Sequence, residues 1–473
     1  MGRNNYDVVI IGAGIAGICA AYELSEKTNL RIALIDKGNE ISKRKCPIKN
    51  TKNKCIGCEK CSIMNGFGGA GGFSDGKYNI TTEFGGWLTD YIDSDEALEL
   101  IKYVDEINMK FGATNKLYST DTKEAREIER EALKYDLHLL HAKVRHLGTE
   151  NNYNILCKIY EYLKDKVDIM CNVEVEDIQR NVILDRYFLS VEGNIQEGAG
   201  HYSISAKYVI VAPGRSGAEW FSNICRNDLG IEMENNQVDI GVRVELPDQI
   251  FSHLTDNVYE AKIKYLSTRG NMVRTFCMNP SGYVVYENTD GTITVNGHSY
   301  EDKSLGSSNT NFAILVSTKF TEPFKDPYQY GKRTASFSNL LGNGIIVQRY
   351  GDLKRGRRTN EKRLKASFTK PTLESATPGD LGYVLQYNQL ADIIEMIEQL
   401  DKIAPGTANN DTLLYGVEVK YYSARPKYLS SSLETKCKNL FAIGDGAGVT
   451  RGLSQAGASG ILAAREIINR IDD

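Results

Sequence analysis

Short apolar runs rich in Val and Ile open this chain. Asp7–Ile11 (DVVII) and Leu30–Ile35 (LRIALI) have the pattern of parallel strands buried on both faces. The apolar stretch between them, through Leu24, has helical length. Asp95–Phe111 places Leu98, Ile101, Val104 and Ile107 three to four residues apart, as an amphipathic helix does. Lys123–Arg145 and Asn154–Lys166 read the same way, which sets His138 and His141 on one helical face. Between 167 and 212 the runs VDIMCNVEVEDIQ, RYFLSVEG and HYSISAKYVIVAPG alternate like strands and predict a three-stranded meander closing the first sheet. Further strands are expected at Asp239–Glu245, Arg274–Cys277, Gly282–Tyr286, Thr292–Asn296 and Phe312–Thr318, with Asn288-Thr-Asp290-Gly291 as a hairpin turn. Tyr383–Ile403 is an amphipathic helix stopped by Pro405-Gly406. Leu440–Ile443 is a last short strand before a small-residue helix that runs to Ile468.

The glycines give these elements a purpose. Gly12-Ala13-Gly14-Ile15-Ala16-Gly17 sits between the first strand and helix, and Asp36-Lys37 closes the second strand. Gly12 allows the tight turn, Gly14 lets a pyrophosphate approach the backbone, and Gly17 lets helix and strand pack closely. The helix start offers N–H groups to phosphate, and Asp36 can accept from ribose hydroxyls. A second segment, Met64–Lys77, carries Gly68, Gly69, Ala70, Gly71, Ser74, Asp75 and Gly76; its backbone can approach something flat or anionic. A third, Gly444-Asp445-Gly446-Ala447-Gly448, leads to Gly452-Leu453-Ser454-Gln455-Ala456. There Asp445 can accept from a polyol hydroxyl while the helix N–H groups face a carbonyl or anion. A flavin has both partners. Val175 in the meander, with Ala212 and Gly214 where its last strand ends, completes the expected cofactor contacts.

The fold class expected is α/β, a Rossmann-type FAD-binding domain (parallel sheet plus β-meander) with an inserted mixed α+β substrate domain. The first part spans 1–238, with a Cys-rich loop at 44–62 and a helical segment at 94–166. The substrate or cap domain spans 239–430, and 431–473 returns to the FAD-binding domain.

Cys46, Cys55, Cys58 and Cys61 follow a C-P-x7-C-x2-C-x2-C spacing in a basic loop. Four thiolates so spaced suit a [4Fe–4S] cluster or tetrahedral zinc, and nearby Lys and Arg would offset the charge; a purely structural knuckle or unmetallated thiols are the plainer readings. At 473 residues, net charge −4 and 41% hydrophobic content, the chain has the composition of a multidomain protein without a global basic field for nucleic acid. The opening MGRNNYDVV lacks an apolar leader, and no run of 18 apolar residues occurs. A cytoplasmic protein without membrane contact is expected. The basic cluster Lys354–Lys365 reads as a solvated face, with an acidic dock as the alternative.

Together, the N-terminal glycine motif with Asp36 and the C-terminal LFAIGDGAG resemble the two FAD motifs of the glutathione-reductase-type flavoproteins. GFGGAGGFSDGK, GVRVE, the FCMNPSG turn and TRGLSQAGASG resemble, more closely, bacterial FAD-dependent dehydrogenases. The resemblance implies bound FAD, with Gly12, Gly14, Gly17 and Asp36 on its ADP part and Asp445 on the ribityl chain. Where that family pattern has a second cysteine in the C-M-x-P turn, Asn279 stands here, and no redox C-x4-C follows the first helix. Disulfide reduction by that route is excluded.

The expected function is an FAD-dependent oxidoreductase, dehydrogenase or reductase, passing hydride between flavin N5 and a small organic substrate. Arg243, His298, Tyr421 and Arg425 are the candidate catalytic residues: an Arg can hold a carboxylate, and His298 or Tyr421 can move a proton. The alternatives are an electron-transfer flavoprotein subunit relaying to a protein partner through the Cys loop, a flavin monooxygenase, and an RNA-modifying flavoprotein, which the acidic balance opposes. Oligomeric state is left open.

Overall fold

The computed structural model describes residues 4–472 apart from 48–55, 57, 59, 196–197, 259–260, 290, 301, 319, 321–325 and 421. Its first sheet contains β1 (Asn5–Ile11), β2 (Ile32–Asp36), β3 (Asp168–Cys171), β4 (Val173–Asn181), β5 (Arg186–Ile195) and β6 (Gly198–Val211), in the spatial order β3-β2-β1-β6-β5-β4. β1 lies parallel to β2 and β6, and β3 parallel to β2. β4, β5 and β6 form the antiparallel meander. The run read as one strand, VDIMCNVEVEDIQ, is two. Asn172 adopts φ 56 between β3 and β4 and turns the chain from the parallel layer into the meander. Helix α1 (Ile15–Lys27) follows β1 at once, and every residue from Ile15 to Leu24 is buried.

Helix α2 (Ser94–Lys110) follows the expected period. Asp93 caps it by accepting from the Asp95 N–H, and Ala97, Leu100, Ile101, Val104 and Ile107 form its buried face. Lys123–Arg145 departs from expectation. Helix α3 (Lys123–Leu133) ends early, Asp136 takes φ 56, and His138–Leu139 and Lys143–His146 are strands. His138 and His141 therefore share no helical face. The cause is a distant partner: His138 and Leu139 pair with Lys264 and Ile263 at the edge of the second sheet, and tertiary pairing overrides a local helical pattern. Helix α4 (Thr149–Leu163) then returns the chain to β3.

The second sheet is built on β7 (Val238–Pro247), β8 (Met272–Asn279), β11 (Asn309–Thr318) and β12 (Leu413–Lys420), antiparallel in the order β12-β7-β11-β8. Strands β9 (Tyr283–Thr289) and β10 (Thr292–His298) form a separate hairpin. In its turn Gly291 takes φ 78, as the sequence requires of a tight hairpin. Helix α5 (Tyr387–Ile403) contributes Ile393, Met396, Ile397 and Leu400 to the core of this sheet. β7 is buried from Val238 to Leu246, including Asp239, Arg243 and Glu245.

The chain comes back through β13 (Leu440–Ala442), parallel to β6, and α6 (Leu453–Asp472). The small residues of α6 have a steric cause: a methyl on Gly460 would lie 2.1 Å from the Ala16 carbonyl oxygen, so α1 and α6 touch backbone to backbone. Among the described residues, no helix is long and apolar enough to cross a membrane.

Candidate functional site

The three glycines of the β1–α1 turn do three different things. Gly12 has φ 103, and a side chain on it would meet the Ala212 carbonyl oxygen at 2.0 Å. A methyl on Gly17 would lie 1.9 Å from the Gly12 carbonyl oxygen, so Gly17 serves packing and does not line the cavity. Gly14, by contrast, has nothing within 4 Å of where a Cβ would stand: it opens on a cavity of about 960 Å³ at the start of α1. Asp36 lies on the same cavity and also clamps the turn. Its Oδ2 accepts from Ala13 N–H at 2.9 Å, and its Oδ1 from Gly38 and Gly66 N–H, each at 2.8 Å. A carboxylate has about four acceptor positions, so one remains for a ribose hydroxyl. Lys37 and Val175 border this end, with Glu174 joining Lys37 at 4.0 Å.

The glycine-rich segment runs along the cavity through Gly68, Gly69, Ala70, Gly71, Ser74 and Asp75. Two residues outside the motif hold it. Arg44, 4% exposed, donates to the carbonyls of Ser62, Ile63, Phe67 and Gly69 at 2.7 to 2.9 Å. Asn152 on α4 donates to the Gly71 carbonyl at 2.7 Å. Burial pushes the Arg44 guanidinium down to about 10, still charged near neutrality. Arg44 thus commits its hydrogen bonds to backbone carbonyls. Gly76, at φ 64, faces Asn152 and lies off the cavity.

Cys46, Cys58 and Cys61 border the cavity beside this segment; Cys55 lies outside the described residues. Lys60 pairs with Glu174 at 2.9 Å, which sets the loop at the adenosine end. Among the described residues, no group of three His, Cys, Asp or Glu side chains is placed to hold a metal ion. The iron–sulfur and zinc expectations gain no support there.

At the other end, Ala212, Gly214, Gly444 and Asp445 line the cavity with Gly452, Leu453 and Ala456 at the start of α6. Burial pushes the Asp445 carboxyl up, against a 2.7 Å hydrogen bond that its Oδ1 accepts from the Thr450 hydroxyl and the nearby Arg215 charge. Ser454 and Gln455 are buried behind the lining; Gln455 donates to the Phe84 carbonyl at 3.1 Å.

The second sheet and the β9–β10 hairpin supply the facing wall. Cys277 and Asn279 of β8, Asn296 and His298 of β10, and Lys420 and Tyr422 at the end of β12 line it. A small sheet sets Lys77 opposite His146, and Lys77 Nζ reaches Asp75 at 3.1 Å and the Asn279 amide oxygen at 3.0 Å. Burial pushes the Asp75 carboxyl up, but Lys77, His146 and His298 outweigh it and hold it below the usual range. His298 thus has an ionised carboxylate as a neighbour. Glu287 behaves alike: burial raises it, Arg215 and Lys420 outweigh that, and it falls to about 2.

Of the three candidate catalytic residues that are described, only His298 is placed on this wall. Arg243 is wholly buried and forms a bidentate pair with Glu418, at 2.7 and 3.0 Å. It stands behind the wall and donates to the Cys277 carbonyl and the Asn296 side chain. Arg425 pairs with Asp90 and Glu234 away from the cavity, drawn by acids 335 and 191 residues distant in sequence. Tyr421 lies outside the described residues. Sequence reasoning missed Arg44, Asn152, Lys77, Lys262, Tyr422 and Arg451. For Arg451 a signal existed, a cation just before a small-residue helix. The basic cluster is partly structural: Arg357 and Arg363 donate to buried Asp352.

The cavity suits FAD on its own evidence. Gly14 leaves room at a helix N-terminus for a pyrophosphate, and Gly214, at φ 58, has equally open space. Buried polar atoms on the lining, Asn79 Oδ1 and Thr149 Oγ1, find no partner among the described residues, as atoms that face a bound polar group would. Family models agree. Residues 7–46 match one described as FAD dependent oxidoreductase, 231–421 match FAD-dependent protein, C-terminal domain-like, and 374–473 match glucose inhibited division protein A. A Clostridium beijerinckii protein, described as uncharacterized, is 24% identical over 488 residues, 98% of this chain and 81% of its own. Among solved structures, Geobacillus kaustophilus glycine oxidase aligns over 99% of this chain and 95% of its own, at 10% identity and TM-score 0.38. A Cytophaga hutchinsonii flavoprotein/dehydrogenase aligns over 98% and 79%, at 12% identity and TM-score 0.41. This cradle, with FAD-dependent family models matched along the chain, identifies the protein as an FAD-dependent oxidoreductase.

Proposed function

We propose that this enzyme passes hydride between FAD and a carbon of a small organic substrate held by the second sheet. One observation carries the reading: residues of the FAD cradle and residues of β8, β10 and β12 line a single continuous cavity. A substrate entering it must lie between the cofactor and that wall. Bound there, FAD supplies hydride acceptance or donation at its N5 atom.

The chain's own residues then have definable tasks. Gly14 and the α1 start hold the pyrophosphate, Asp36 the adenosine ribose, and Asp445 a ribityl hydroxyl. Trp87 and Tyr422, with ring centroids 4.8 Å apart, narrow the substrate end and help exclude water. His298 moves the substrate proton that hydride transfer requires, and ionised Asp75 stabilises its protonated form. Lys77 fixes Asp75 against the Asn279 side chain.

The test is anaerobic. Oxidised holoenzyme is screened against small organic donors, and photoreduced holoenzyme against acceptors, by the flavin band near its visible maximum. A hit whose turnover falls about 100-fold in His298→Asn at full FAD content supports the reading. A complete screen with no bleaching and no reoxidation, or a His298→Asn enzyme as fast as the parent, overturns it.

A further inference from the structure

We propose that the substrate is an organic acid whose carboxylate pairs with the Nε–Nη2 edge of Arg451. The inference deepens the reading above and rests on it only for the word substrate; the anion site itself is read from side chains.

Arg451 stands two residues before α6, on the cavity lining. Its guanidinium carbon lies 4.2 Å from the Tyr422 ring centroid and 5.1 Å from that of Phe276. These two cation–π contacts restrain the group where it borders the cavity. Nη1 is in use: it donates to the Tyr422 hydroxyl and lies 3.4 Å from Asp239 Oδ2. Among the described residues, the Nε–Nη2 edge donates to nothing, although the side chain is only 17% exposed. That edge is the geometry that matches a carboxylate with two parallel hydrogen bonds.

Charge balance points the same way. Asp239, wholly buried, is shared by Arg451 and Arg274; Arg274 Nη2 reaches the same Oδ2 at 2.8 Å. One carboxylate serves two guanidiniums, which leaves one positive charge over. The start of α6, just beyond Arg451, contributes the positive end of a helix. Burial pushes the Arg451 guanidinium down to about 10, as expected of a cation that its surroundings only partly repay. A neutral substrate would leave this surplus uncompensated; a carboxylate completes it. The rings of Trp87, Tyr422 and Phe276 around it favour an acid with a flat or apolar body.

The experiment reads binding, not turnover, so it stands apart from the hydride-transfer test. Oxidised holoenzyme is titrated with phenylacetate and, separately, with phenylacetamide, following Trp fluorescence and the flavin band. The chain has two Trp, Trp87 and Trp220, and both border the cavity. Saturable binding of the acid, with the amide at least about 10-fold weaker, is expected. Arg451→Gln should retain FAD and weaken the acid about 30-fold, closing the gap between acid and amide. Arg451→Lys, which keeps the charge but not the fork, should fall between. Equal binding of acid and amide, no response to either, or loss of FAD rather than acid selectivity in both variants overturns the proposal.

Discussion

Arg243 and Glu418 form a two-pronged ion pair in which neither side chain is exposed to solvent, between adjacent strands β7 and β12. Burial raises the Glu418 carboxyl, and Arg243 and Lys420 outweigh that and keep it ionised. Removing Arg243 leaves buried Glu418 with Lys420, 2.8 Å away, as its remaining cation among the described residues, so its burial is only partly offset. Arg243→Met should cost roughly 3–5 kcal/mol in denaturant unfolding, and Arg243→Met/Glu418→Met should recover much of that loss. Equal loss in the single and double variants would show that packing, not charge, dominates there.

The glycine turn separates folding from cofactor binding. Gly14 has φ −74 and empty space where a Cβ would project, so Gly14→Ala should fold with an unchanged apoprotein melting temperature. Its FAD affinity should fall by about 10-fold or more, because the methyl occupies the space of the pyrophosphate. Gly17→Ala, whose methyl meets a carbonyl, should instead lower the melting temperature of the apoprotein. Melting curves and FAD titrations of both variants check the contrast.

Acid should weaken the fold through Glu287. Its carboxyl sits at about 2 in the folded protein against an ordinary 4.5. The stabilisation is complete above the unfolded value and is lost as pH falls from about 4.5 through about 2, amounting to about 3 kcal/mol at most. The pH dependence of unfolding in that window should flatten in Glu287→Gln. A slope unchanged by the substitution would assign the acid sensitivity elsewhere.

How far the sequence discloses this protein depends on the range of each constraint. The β1–α1–β2 unit is legible from its local spacing: Gly17 answers to the Gly12 carbonyl five residues away, although Gly12 itself meets Ala212, 200 positions later; the hairpin turn is legible because Gly291 needs only its own positive φ. Arg243 is not: its task depends on Glu418, 175 positions later. His138–Leu139 looks helical until Ile263 and Lys264 are there to pair with it. Asp36 shows the intermediate case. Its place at the strand end is visible in the pattern, yet two of the three amides it binds come from Gly38 and Gly66, beyond the motif.

The central claim, that this cavity holds FAD and brings it to the second sheet, has a direct test. The protein is purified under nitrogen, its flavin released by heat and identified by mass, and flavin counted per chain alongside iron and zinc. The structure predicts FAD, close to one per chain, with Asp445→Asn and Gly14→Ala both reducing that ratio. A colourless protein that takes up no FAD when FAD is added would contradict the account.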